Sequence, residues 1–309
     1  MIYTLTLNPA IDLFIKTQTM VPNTVNRTDS YDIQANGKGV NASCILKRRG
    51  VDNVALGVGG GFTLDYIADF LTQQGIRNHF YKDAGFTRIN VFTRVVSDNT
   101  EYKLVNPGPK ISPATLKQLY QQLTTLGAED WLCVSGSFAQ GIEPSFLLKL
   151  GALSQERGFQ LIIDSAYPEA VKALAYRPLL VKPNDEELMS WFDQSGAADL
   201  STMVALGHRA LDAGAQNILV SLGAAGALFM NHEVTLVGNA PKIDVLNTAG
   251  AGDTMLGTFL AGLYQKQDLA ATLKLAIAAG SDTARRAWIT DFTQTDELLT
   301  QIEIKQLEG

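Results

Sequence analysis

From position 131 onward, short apolar runs alternate with longer segments whose apolar residues recur every three to four positions. The runs at 131–135, 161–164, 179–182 and 218–221 read as strands, and 144–157, 186–192 and 203–213 as helices. Such alternation predicts a mostly parallel sheet covered by helices. Two further strands, 226–230 and 233–237, are joined by Asn231-His232, and 243–246 is strand-like. Beyond Gly250 the pattern turns helical over 254–264, over 269–287 and in an amphipathic stretch from Asp296. The first hundred residues differ. After an alternating run at 1–7, the segments 11–16, 31–34, 89–96 and 102–105 read as strands without long helices between them, apart from a helix opened by Gly39 and a strand-turn-helix-strand unit over 53–82. The expectation is one α/β domain over 1–309, carrying a small discontinuous β-sheet inserted from about 11–35 and 87–106. No repeat or low-complexity linker divides the chain.

Composition narrows the function. The 309 residues are 46% hydrophobic and only 18% charged, which describes a chain with an extensive core and excludes global disorder. With 25 Lys+Arg against 31 Asp+Glu, the formal charge is -6, which argues against nucleic acid or an anionic membrane held by bulk attraction. An anionic ligand must be met by a few placed groups. Cys44 and Cys133 fall on a helix and a strand and read as buried, unbridged thiols. The N-terminal run lacks the basic head and long apolar core of a secretion signal, and no apolar stretch reaches a membrane-spanning length, so a cytoplasmic location is expected.

The 27 glycines cluster at 37 and 39, 57–61, 136, 223 and 226, and 250 and 252. Such clusters mark tight turns or a close approach of backbone to ligand. The most informative segment is Asn247-Thr248-Ala249-Gly250-Ala251-Gly252-Asp253-Thr254-Met255, which opens a helix. Its small residues leave first-turn amides uncovered, and those donors with the helix dipole make an anion site. Asp253 beside such a site is either a capping residue or a general base for an attacking hydroxyl.

Gly250-Ala251-Gly252-Asp253 resembles the C-terminal motif of the PfkB family, the ribokinase-like sugar kinases, and Asn36-Gly37-Lys38-Gly39-Val40-Asn41 resembles its N-terminal motif. Glycine is usual where Asn36 stands, a mild departure since Asn tolerates left-handed backbone. The resemblance implies a ribokinase-like α/β fold with a β-lid, phosphoryl transfer from ATP with Mg²⁺, Asp253 as catalytic base, and an anion hole at Gly250, Ala251 and Gly252. It extends along the whole chain. Leu7-Asn8-Pro9-Ala10-Ile11-Asp12 resembles the opening of the phosphosugar branch, where the aspartate binds substrate hydroxyls. Val181-Lys182-Pro183-Asn184-Asp185-Glu186-Glu187 is similar to the family's lysine-proline-asparagine and asparagine-x-x-glutamate elements, which implies Lys182 near the transferring group and Asn184 and Glu187 positioning the water shell of magnesium; the same pair also fits a capping box. Ser221-Leu222-Gly223-Ala224-Ala225-Gly226 resembles the nucleotide-binding turn, and Thr248 and Gly252 join the nucleotide side.

On the sugar side the resemblance assigns Gly37, Lys38, Asn41, Arg88, Asn90 and Ser137, with Arg88 and Lys38 clamping a sugar phosphate. Thr87-Arg88-Ile89-Asn90-Val91 is more similar to fructose 1-phosphate kinases than to tagatose 6-phosphate kinases, and Gly60-Gly61-Phe62-Thr63 and Asn26-Arg27 point the same way. The expected substrate is therefore fructose 1-phosphate, with tagatose 6-phosphate as the alternative. Lys103 and Val105 depart from the family pattern, Asp164-Ser165-Ala166 keeps the aspartate but loses the usual serine-glycine after it, and Ser137-Phe138-Ala139-Gln140-Gly141 lacks the usual proline. The family pairs its lids into homodimers, which would place Arg27 near the neighbouring subunit's site and cover an otherwise exposed sheet. A nicotinamide enzyme is the alternative from another class, suggested by Gly57-Val58-Gly59. The dinucleotide fingerprint needs a third glycine where Phe62 or Leu64 stands, so both registers fail. A sugar-phosphate sensor would need the base or anion hole to be lost, and His79, His208 and His232 stand at no metal-ligand spacing.

Overall fold

The computed structural model describes residues 1–196 and 199–307. In chain order the elements begin β1 (Ile2–Thr6), β2 (Ala10–Thr17), β3 (Ser30–Asn36), α1 (Lys38–Arg48), β4 (Asn53–Gly60), α2 (Gly61–Gln73), β5 (Arg77–Asp83), β6 (Arg88–Val95) and β7 (Thr100–Leu104). They continue α3 (Pro113–Leu123), β8 (Trp131–Ser135), α4 (Phe146–Arg157), β9 (Gln160–Asp164), α5 (Glu169–Ala173), β10 (Leu180–Val181), α6 (Asp185–Trp191) and α7 (Leu200–Asp212). The remainder is β11 (Ile218–Ser221), β12 (Ala227–Met230), β13 (Thr235–Gly238), α8 (Ala251–Tyr264), α9 (Leu269–Ala284), α10 (Thr295–Leu299) and β14 (Ile304–Leu307).

Ten strands form the main sheet in the order β14-β13-β12-β11-β10-β9-β8-β1-β4-β5, parallel from β11 to β5 and antiparallel beyond β11. The parallel strands are buried on both faces, as crossover helices require. On β8, Leu132 and Val134 point into the layer built by α3 to α7, while Cys133 points into the layer of α8 and α9. Phe229 of β12 meets Phe259 of α8 with ring centroids 4.9 Å apart. A third apolar cluster joins α1 and α2 to the base of the second sheet through Ile11 and Ala35.

That second sheet has the order β3-β2-β6-β7. The β2 and β6 strands run parallel, with Asp12 opposite Asn90, and β2 and β3 antiparallel, with Ala10 opposite Asn36. Side chains alternate between its faces. Asp12, Gln34, Asn36 and Asn90 share one face; Leu13, Ile15, Tyr31, Ile33, Val91, Tyr102 and Leu104 share the other, where Tyr31 is 72% and Leu104 62% exposed.

The structure departs from the sequence expectation at several elements. Residues 243–246 form no strand; the amides of Leu246 and Asn247 instead donate to the carbonyl of Ala284 at 2.9 and 3.0 Å. The edge of β13 is occupied by β14, read from the sequence as part of a helical stretch, whereas the helix there is only α10. The reading also missed α3, although Ser112 caps it and Pro113 opens it. Both cysteines are free and buried, and burial pushes their thiols up to about 12. Among the described residues no helix is long and apolar enough to cross a membrane.

Candidate active site

The site begins where α1 and α8 cross beside the carboxyl ends of the parallel strands. Gly37 caps α1 with φ +137°, a backbone conformation that L side chains rarely adopt, and a Cβ on Gly39 would lie 2.4 Å from Thr6 Oγ1. On α8, a Cβ at Gly257 would lie 2.9 Å from Ile45 of α1. One turn back on each helix stand Asp253 and Asn41, and the close approach lets Asn41 Nδ2 donate to Asp253 Oδ2 at 2.9 Å. Gly250 precedes α8 in the left-handed conformation. The Ala251 amide donates to the Thr248 carbonyl at 3.2 Å, so it is not the free anion donor expected from the sequence. Among the described residues the amides of Gly252 and Asp253 have no backbone partner, and they are the first-turn donors left for an anion.

A buried charge cluster surrounds Asp253. Asp164, at the end of β9 and fully buried, accepts from Lys38 Nζ at 3.1 Å and lies 3.3 Å from Lys182 Nζ. Burial opposes the ionisation of Asp164, but the two ammonium groups outweigh it and hold its carboxyl below the usual range. For Lys38, burial is likewise outweighed, by the carboxylates of Asp164 and Asp253, and its ammonium is held above the usual range. Asp253 shifts the other way: burial raises it, with Asp164 adding to the effect, against the pull of Lys38, Asn41 and Lys182. A carboxylate of raised basicity beside free amide donors and two cations can accept a proton from a hydroxyl that attacks a phosphoryl group. A Cβ on Gly252 would lie 3.5 Å from Lys182 Nζ, so the lysine reaches the same helix terminus.

On the other side of Lys38 opens a cavity of about 390 Å³ whose lining includes Asn8, Gly37, Lys38, Arg88, Gly136 and Ser137. Arg88 is anchored by Nη2 donating to the Asn8 carbonyl at 3.1 Å, while its buried Nε has no partner. Asn8 Nδ2 donates to Ser137 Oγ at 3.2 Å. Asp12 does not line this cavity; it lies beside it, with Oδ1 receiving Asn90 Nδ2 at 2.8 Å and Oδ2 receiving Asn36 Nδ2. Burial raises the Asp12 carboxyl, and these amides and Arg88 oppose the shift. Asn90 is engaged at both ends, since its Oδ1 accepts from the Asn106 amide at 3.1 Å; it braces Asp12 against the segment after β7.

Across the sheet, Asn184 pairs with Ser221 in an isolated parallel bridge. Asn184 and Glu187 do form a capping box, with Glu187 N donating to Asn184 Oδ1 at 2.6 Å and Asn184 N to Glu187 Oε2 at 2.9 Å. Glu187 also lines the cavity and keeps Oε1 outside the box. Among the described residues no three acidic, histidine or cysteine side chains cluster as a metal cage. One carboxylate oxygen and one amide suit a hydrated magnesium that takes its remaining ligands from water and phosphate. In the turn after β11 the two glycines differ from each other. A Cβ on Gly223 would meet nothing within 4 Å, whereas one on Gly226 would lie 1.9 Å from the Gly238 carbonyl oxygen, so the strand-to-strand turn itself requires glycine at 226. Gly57 and Gly59 are similarly packed against Phe80 and Thr87, with no space for a dinucleotide pyrophosphate.

A mostly parallel α/β sheet with an anion-binding helix terminus at its carboxyl edge and a carboxylate inside that terminus defines a phosphotransferase type of site. The family model described as pfkB family carbohydrate kinase matches residues 5–290, and the chain belongs to that family. It is 39% identical to a D-tagatose-1-phosphate kinase of Bacillus licheniformis, over 99% of this chain and 100% of that one. It is 32% identical to a 1-phosphofructokinase of Bacillus subtilis, again over 99% and 100%. Among solved structures, phosphofructokinase-2 of Escherichia coli, in complex with substrates and products, superposes with a TM-score of 0.88 at 26% identity, covering 97% of this chain and 98% of that one.

Asp164 and Asn36 were not singled out as site residues by sequence reasoning. A polar residue at the carboxyl end of a central parallel strand is the signal that could have found Asp164; Asn36 was marked only as a departure from the glycine usual at its position. Asp164→Asn leaves two lysines without their shared counter-charge, and we expect it to lower stability at neutral pH by about 3–5 kcal/mol. Because the folded carboxyl lies below its unfolded value, the wild-type contribution is complete above about pH 3.9 and disappears as pH falls through the folded value. Denaturant unfolding from pH 7 to pH 2 should therefore bring the two proteins together at the acid end. A constant gap would mean that Asp164 acts through packing alone.

Proposed function

We propose that the chain transfers the γ-phosphoryl group of ATP to the C6 hydroxyl of a ketohexose 1-phosphate, with D-tagatose 1-phosphate the preferred sugar and D-fructose 1-phosphate the second. The observation that carries the reading is the position of Asp253, buried at a helix terminus with two free amides and joined through Lys38 and Asp164 to a second, cationic cavity. Two anions and a base between them are what transfer from a nucleotide to a phosphorylated alcohol requires. The two relatives are named for different sugars that share a phosphate on carbon 1, and the higher identity, 39% against 32%, favours tagatose. The fructose 1-phosphate expectation is thus kept as one of a pair, and neither relative is named for tagatose 6-phosphate.

In this reading Arg88 and Lys38 clamp the 1-phosphate, with Ser137 beside them, and Asp12 accepts from sugar hydroxyls. Asp253 takes the proton of the attacking hydroxyl, while the amides of Gly252 and Asp253 and the Lys182 ammonium stabilise charge on the group in transfer. Ser221, Gly223 and Thr248 border the nucleotide. Bound Mg²⁺ would neutralise phosphate charge, held by Asn184 and Glu187 through water. The second sheet acts as a lid over the sugar, and its apolar outer face pairs with that of a second copy to give a homodimer. Two buried free thiols and the use of ATP fit a cytoplasmic enzyme.

Asp253→Asn should reduce kcat by several orders of magnitude with little change in the KM for ATP; near-normal turnover would remove Asp253 from the role of base. A coupled ADP-release assay across tagatose 1-phosphate, fructose 1-phosphate, fructose 6-phosphate, tagatose 6-phosphate and unphosphorylated sugars should show activity concentrated on the two 1-phosphates. In the same assay Arg88→Ala should raise the sugar-phosphate KM by about 10–100-fold, the equivalent of one charge-assisted contact pair. Activity confined to 6-phosphates or to free sugars would overturn the assignment. Sedimentation should find a dimer, and Leu104→Asp should yield monomer; a wild-type monomer would leave the outer face without this role.

A further inference from the structure

Asn36 ends β3 with no positive φ, so the backbone there does not need an asparagine or a glycine, and its side chain must be explained by what it touches. Its Nδ2 donates to Asp12 Oδ2, and its Oδ1 accepts from the Gly37 amide at 2.6 Å and from Asn41 Nδ2 at 2.9 Å. Asn41 Nδ2 carries two hydrogens; the second goes to Asp253 Oδ2 at 2.9 Å. Four side chains thus form one chain of hydrogen bonds, Asp12–Asn36–Asn41–Asp253, running from the second sheet to the N-terminus of α8. Asn41 is 1% exposed, and its Oδ1 has no partner. Nδ2 is thus held by two acceptors, the Asn36 amide oxygen and the Asp253 carboxylate, and Oδ1 is left as a buried acceptor without a partner.

We infer that Asn36 is a positioning residue that fixes the Asn41 amide, and through it ties the sugar-binding carboxylate Asp12 to the base Asp253. The inference rests on the phosphotransfer reading above. Without the Asn36 acceptor the Asn41 amide loses the partner that sets its orientation. A rotated amide would present oxygen, not N–H, to Asp253, and the carboxylate would lose a donor that favours its ionised form. The other groups facing Asp253 are unchanged by such a substitution: Lys38 from α1, Asp164 from β9, Lys182 after β10, and the thiol of Cys133 on β8.

The test compares wild type with Asn36→Ala and Asn36→Gly, each checked by a cooperative thermal melt, using the 1-phosphate that wild type turns over best. Expected are a fall in kcat of about tenfold, an unchanged KM for ATP, and an acid limb of the kcat–pH profile displaced upward by roughly half to one unit. The glycine variant serves if alanine disturbs the strand. A purely structural role would lower the melting temperature and leave the acid limb in place. An unmoved limb with kcat within twofold of wild type overturns the Asn36 inference while the kinase reading stands. Absence of wild-type turnover on every ketohexose 1-phosphate overturns the reading and the inference with it.

Discussion

Helices α1 and α8 meet where Gly257 offers no side chain and Ile45 fills the space, and that contact sets the distance between two otherwise unrelated parts of the chain. A methyl group at 257 would push the helices apart, and the first effect would be felt one turn away, where Asn41 reaches Asp253. The glycines at 37 and 39 act in the same sense at the start of α1, seating it on the end of β1. Packing density in the core thus becomes positional accuracy at the Asn41–Asp253 contact.

The charge cluster shows how an acidic chain can receive two anions. Lys38 and Lys182 share one fully buried carboxylate, Asp164, so each ammonium is oriented without being fully neutralised. Asp253 is left with the less favourable environment, buried and near a second carboxylate, and its proton affinity rises in consequence. One aspartate is kept ionised and the other made basic within the same cluster, a division that burial and neighbours impose on chemically identical groups. A stabilising arrangement would have paired every charge. This one leaves its imbalance at the base.

Much of this was legible beforehand. The alternation of apolar runs with helical segments gave the parallel core, and the irregular early strands gave the second sheet, because both signals come from burial of one or two strand faces. Glycine clusters next to Asp253 and Lys38 marked the site because close backbone approach restricts the residue type. Less legible were features decided by a distant partner. Residues 243–246 are apolar enough for a strand, yet the edge of β13 is taken by β14, and the amides of Leu246 and Asn247 go to the Ala284 carbonyl instead. Gly226 carries the same one-letter signal as Gly250, but one gives way to the Gly238 carbonyl across the turn and the other opens α8, a difference set by residues distant in sequence. Asn36 looked like a tolerated exception to a glycine and proved to be the middle of a hydrogen-bond chain.

The small sheet is rooted where Ala10 lies opposite Asn36, and its far end, where Lys16 lies opposite Ser30, is six residues away, roughly 20 Å along the strand. It therefore has the proportions of a lever, short near Asp12 and long beyond it. Any tilt displaces the tip several times farther than it displaces Asp12, which sits only two residues from the root. By the same geometry, a change of angle at the root would alter contacts at the distal end far more than the position of Asp12. Motion and accuracy are separated by length along a single pair of strands.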